Sequence, residues 1–164
     1  MKRILILTTI LLSIMSCGQS AKPDGSQVID EDQQDKDIKA VKTLVRQSFE
    51  DIWSDLDTSA INQYHTRDFL LLENGMIWNN DSIAYYLVKE NLNQKREKYQ
   101  RLNHFDFLKS VHHQNSIWVA YHNYGTWIKG KDTVGTAHWL ESVVAIRDGD
   151  QWQLEQMHST KLSN

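Results

Sequence analysis

The chain has 164 residues, 24% of them charged and 40% hydrophobic, with a formal net charge of −3 at neutral pH. That length holds one domain with a real core, and the near-neutral balance lacks the basic stripe a nucleic-acid binder needs. A single cysteine excludes an internal disulfide.

Lys2 and Arg3 precede Ile4 to Ile14, an apolar run of 11 residues. A membrane-spanning helix needs roughly 20 residues, so the run reads as a secretory signal. The order Ile14-Met15-Ser16-Cys17-Gly18 resembles the lipobox of bacterial lipoproteins. The resemblance implies that residues 1–16 are a signal peptide and that Cys17 is lipidated. The domain behind it is then extracytoplasmic and anchored to a bacterial membrane. Residues 17–37 carry six acidic side chains against two basic ones, with Pro23 and Gly25, and read as an acidic disordered tether.

From residue 38 onward the patterning is that of a folded domain. Ile38, Val41, Val45, Phe49 and Ile52 recur at helical spacing and predict a long first helix. Thr58 is placed to cap a short second helix through Ile61 and Tyr64. Phe69 to Glu73 is strand-like, and Asn74-Gly75 is a two-residue hairpin signal leading back through Met76, Ile77 and Trp78. Asn80 or Asp81 caps a third helix, Ser82 to about Leu92. Period-two patterning then predicts long strands over Arg101–Val111, Ser116–Lys129, Thr133–Arg147 and Trp152–Lys161. The expected fold is α+β: a cone-like, curved antiparallel sheet whose concave face is covered by three N-terminal helices.

The segment YHTRDFLLLENG after two helices, and the ending VVAIRDGDQWQLEQMHST, resemble the nuclear transport factor 2-like superfamily, which includes SnoaL-like proteins and ketosteroid isomerase. The resemblance covers about residues 38–162 and implies an architecture, not a reaction. Carried onto this chain, the isomerase's general base falls near Glu73. Its two oxyanion donors fall at Ser48 or Phe49 and at Ser142 or Val143, which cannot serve. Since oxyanion stabilisation is usually the largest catalytic term, steroid-isomerase chemistry is not expected.

Two-residue turns at Gly130-Lys131 and Asp148-Gly149 would set His122 opposite Trp139, and Trp139 opposite His158. One face then collects Trp118, His122, Tyr124, Trp139, Glu141, Gln156 and His158, an aromatic wall with polar groups among it. Buried imidazoles and a buried carboxylate are costly unless bonded to each other, to water or to a ligand. Three readings of His122, Glu141 and His158 stay open: a satisfied polar network, a small-molecule binding site, or an acid–base centre of a lyase or isomerase. Glu73 joins the binding set. No cofactor is expected, because no Gly-rich phosphate loop, nucleophile elbow or Cys-based motif occurs. Two imidazoles and one carboxylate could hold a metal, but ligands so distant in sequence are a weak signal and no metal site is expected. On the other sheet face Val119, Leu140, Val144 and Ile146 would pair two copies as a homodimer. The expected function is binding of a small, partly apolar molecule, with catalysis left open.

Overall fold

The computed structural model describes residues 30–163. The signal-like run, Cys17 and the start of the acidic segment lie outside the described residues. The elements are α1 (Glu31–Ser48), a π-helical turn (Phe49–Ser54), a 3-10 turn (Thr58–Ala60), α2 (Ile61–Tyr64), β1 (His65–Glu73), β2 (Met76–Trp78), α3 (Asn80–Glu97), β3 (Gln100–His113), β4 (Ser116–Lys129), β5 (Asp132–Asp148) and β6 (Gln151–Lys161). No helix among the described residues is long and apolar enough to cross a membrane.

The acidic segment becomes helical earlier than composition predicts: α1 begins at Glu31, inside the stretch to residue 37 whose composition is that of a disordered tether. Glu31 and Asp32 complement the positive end of the helix dipole. Asp37 is then anchored to the sheet. His112 on β3 lies 3.2 Å from its Oδ2, Gln33 Nε2 donates to its Oδ1 at 3.0 Å, and Arg147 on β5 pairs with it. Burial raises the Asp37 pKa, but these three partners outweigh it and hold the carboxyl below its ordinary value. Val41, Val45 and Ile52 are fully buried behind that anchor, as the helical spacing requires.

Asn74 and Gly75 take φ of 48° and 83° in the hairpin turn between β1 and β2, the positive values that Asn and Gly tolerate. Asn79, one residue before the predicted cap, accepts from Ser82 N at 2.9 Å and starts α3. The six strands form one open, curved sheet in the order β2-β1-β6-β5-β4-β3. It is mixed, because β1 lies parallel to β6 while every other pair is antiparallel. The core fills the space between helices and sheet, with Phe69, Leu71, Ile83, Leu87, Tyr121 and Leu154 among its largest fully buried side chains.

Both turns flanking β5 are two residues long, the second at Gly149-Asp150 and not at the expected Asp148-Gly149, and the predicted face of β4 is inverted. Trp127 pairs with Gly135 and Ile128 with Thr133, so Val134 bulges out of the ladder. A second bulge at Glu155 separates the pairs Val144–Gln156 and Ala145–Leu154. Each extra residue exchanges the two faces beyond it. His122 therefore pairs with Leu140 instead of Trp139, and Trp139 pairs with Asn123 and Lys161. Val119, expected outside, is fully buried inside. Leu140, Val144 and Ile146 keep the outer face.

Candidate functional site

A cavity of about 220 Å³ lies between the concave sheet face and the helices. The π-helical turn supplies Phe49 and Trp53, whose ring centroids are 6.4 Å apart. Asp55 N donates to Glu50 O at 2.8 Å, the wider helical step that widens this turn. Trp78 on β2 and Tyr86 on α3 close the far side, nearly perpendicular at 5.6 Å. Trp127 and Trp139 enter from β4 and β5, with Leu71, Met76 and Met157 between these walls. The polar lining is Glu73, Asn74, Arg101, Glu141 and Ser159.

Glu141 is the chemical centre. Inward-pointing in the middle of β5, it is 4% exposed. Ser159 Oγ on β6 donates to its Oε1 at 2.8 Å, and Asn123 Nδ2 on β4 donates to its Oε2 at 3.2 Å. Burial pushes its pKa up to about 7, and the nearby Glu73 acts the same way. The two donors and the Arg101 charge oppose that rise without cancelling it. Tyr121 is wholly buried beside the same carboxylate, within its field but without a hydrogen bond of good geometry. Burial and that neighbouring charge hold the phenol well above its ordinary range. Burial raises Glu73 as well, against the pull of Arg101.

Arg101 stands at the start of β3. Its Nε donates to Asn103 Oδ1 at 3.1 Å, and Asn103 Nδ2 donates to Ser54 Oγ at 2.9 Å, which fixes the side chain to the end of the π-helical turn. The guanidinium lies 5.9, 5.4 and 5.1 Å from the ring centroids of Phe49, Trp127 and Trp139. These are cation–π distances.

Of the residues predicted from sequence, Glu141, Trp139 and Glu73 meet at this cavity. The others do not, because the bulges at Val134 and Glu155 turn them outward. Trp118, His122 and Tyr124 face away on β4, and Gln156 and His158 face away on β6. His122 Nδ1 lies 2.9 Å from His138 Nε2 there, and Tyr124 stacks on the His138 ring at 4.2 Å. The proposed triad of His122, Glu141 and His158 is thus split across the sheet, and neither imidazole can exchange a proton with Glu141. Sequence reasoning missed Arg101, Trp53, Trp78, Tyr86, Trp127 and Ser159. One signal was present: Arg101 and Asn103 share the period-two face of Phe105 and Phe107, which pack on the core. Among the described residues no group of three or more His, Cys, Asp or Glu side chains is gathered to hold a metal.

No family model matches the chain. No curated protein matches it either. Solved structures do. A ketosteroid isomerase-like protein from Erwinia carotovora atroseptica aligns over 79% of this chain and 98% of its own, at 14% identity and TM-score 0.58. An NTF-2 like protein of unknown function from Silicibacter pomeroyi aligns over 79% and 98%, at 10% identity and TM-score 0.57. An uncharacterised protein with a cystatin-like fold from Caulobacter vibrioides aligns over 78% and 91%, at 12% identity and TM-score 0.56. The fold is the NTF-2 like, cystatin-like cone. At these identities the likeness extends to architecture alone. Within the cone, the cavity chemistry belongs to this chain's own residues: one buried acid, one aromatic-flanked arginine and a second acid at the mouth of the β1–β2 hairpin.

Proposed function

We propose that this cone binds one small, partly apolar molecule in the cavity between sheet and helices. We further propose that a lipid on Cys17 holds the domain at the outside of a bacterial membrane. The observation that carries the binding reading is Glu141, a buried acid kept in the wall of an aromatic cavity where packing alone has no use for its charge. Its pKa near 7 also favours a second reading, in which Glu141 acts as general acid or base for a lyase or isomerase. The two differ in turnover and share the pocket.

Native mass spectrometry of protein purified without added ligand tests both. One small adduct is expected on the wild type and on the His122→Ala and His158→Ala variants, whose altered side chains lie across the sheet. Trp53→Ala, which removes a cavity wall, is expected to lose it. Bare protein in every preparation, or an adduct that depends on the histidines, would overturn the proposal. An adduct converted to a new mass by the wild type and left unconverted by Glu141→Gln would decide for the enzyme. The tether is tested separately: Cys17→Ser is expected to move the protein from the membrane fraction to the soluble one, and an unchanged distribution would refute lipidation.

A further inference from the structure

The groups that line the cavity are unequal in what they lack. The two terminal nitrogens of Arg101 make no hydrogen bond and no ion pair among the described residues, although Glu73 and Glu141 are close enough to influence its charge. The indole Nε1 of Trp78 is shut away from solvent without an acceptor. Glu141 already accepts at both of its oxygens. At Arg101 itself the unmet capacity is that of donors, and the unpartnered acceptors beside it, among the described residues, are Glu73 and Asn123 Oδ1. Aromatic rings flank the guanidinium and Asn103 holds its Nε, so the fork of terminal nitrogens is the part left to bind. That fork matches a carboxylate in a two-pronged contact, and partial removal from water strengthens it.

Resting on the reading of the cavity as a binding site, we infer that its occupant is a planar organic anion whose carboxylate docks on the free edge of Arg101 while its flat body lies against the aromatic walls. Arg101 is held ready for this by the Ser54–Asn103 relay, so binding needs no rearrangement of the cation. The opposing possibility is a cationic ligand drawn to Glu73, the cavity carboxylate that makes no hydrogen bond among the described residues.

A matched set of three probes separates these outcomes: naphthalene-2-carboxylate, its neutral carboxamide and the corresponding naphthylmethylammonium, titrated by calorimetry against the purified domain. The carboxylate is expected to bind at least about tenfold more tightly than the carboxamide, as a charge-assisted contact would give. Arg101→Gln is expected to erase that preference, read as the ratio of the two affinities in the variant. Arg101→Lys, which keeps the charge and loses the fork, is expected to restore part of it. Equal or tighter binding of the carboxamide or the ammonium overturns the anion assignment and leaves the cavity reading standing. Failure of all three probes overturns both. The probe comparison on wild-type protein needs no variant to fold.

Discussion

Glu141→Gln is expected to stabilise the domain at pH 8 relative to the wild type, by about 2 to 3 kcal/mol more than it does at pH 5. The Glu141 carboxyl has an ordinary pKa of 4.5 and is pushed to about 7 in the folded protein by burial. Each pKa unit corresponds to about 1.4 kcal/mol, so ionising this group in the fold costs on the order of 3 kcal/mol. Between pH 4.5 and 7 the native state holds a proton that the unfolded chain has released, and wild-type stability falls as pH rises through that window. Below pH 4.5 both states are protonated and the cost vanishes. The amide keeps one acceptor for Ser159 or Asn123, and a turn of the Asn123 side-chain amide would bring its partnerless Oδ1 to the new donors. Urea unfolding at pH 5 and pH 8 reads the difference directly, since every other titrating group is common to both proteins. Parallel pH dependences would mean that Glu141 is not desolvated, and the case for a ligand-facing acid would go with it. A gain of this size also bears on function. A residue that weakens the fold at neutral pH, and that a near-isostere relieves, is kept for its chemistry and not for packing.

What could be read from the chain, and what could not, divides along a physical line. The first helix was legible because Val41, Val45 and Ile52 must share one stripe, and the β1–β2 turn because Asn74-Gly75 tolerates positive φ. These are local constraints. β5 was read on the correct face because Ala137, Trp139, Val143 and Ala145 alternate with Thr136, His138 and Ser142. β4 is apolar on both faces, Ile117, Val119 and Tyr121 inside against Trp118, Ala120 and Tyr124 outside, so composition cannot tell which face is buried. The decision then falls to register, and register here depends on the two bulges. Glu155 leaves the β6 ladder while its carboxylate accepts from Thr66 Oγ1 at 2.5 Å, a partner 89 positions away. Val134, at the other bulge, is 55% exposed and has no local mark. Arg101 was hidden for a related reason: a cation beside three other basic residues reads as a solvated helix end until the Phe105 and Phe107 face is extended back to it.

The wall made by Trp139 gives the second large effect. A Cβ built on Gly125 would lie 2.8 Å from Trp139 Cζ3, 3.2 Å from Trp139 Cη2 and 3.4 Å from Trp127 Cη2. The first distance is shorter than real carbon contacts allow, and the obstacle is a rigid, buried ring rather than the tip of a flexible chain. Gly125→Val adds two further methyl groups to that clash. It is expected to destabilise the domain by about 3 kcal/mol, the upper part of the range for an overpacked core. A shift of the indole toward Arg101, 5.1 Å from its ring, would relieve the clash by moving it into the cavity. Binding of naphthalene-2-carboxylate should therefore fall together with stability. Gly135→Ala is the matched control, because its nearest neighbour, Trp127 Cε3 at 3.7 Å, sits at ordinary contact distance. There a Gly-to-Ala change in a strand should be neutral or stabilising by up to about 1 kcal/mol, through the lower freedom of the unfolded chain. Urea midpoints and probe titrations on both variants separate a local steric block from a general weakening of the sheet. If Gly125→Val folds with wild-type stability and binds the probe unchanged, Trp139 does not form the cavity wall, and the narrow approach of β4 to β5 has no part in shaping the site.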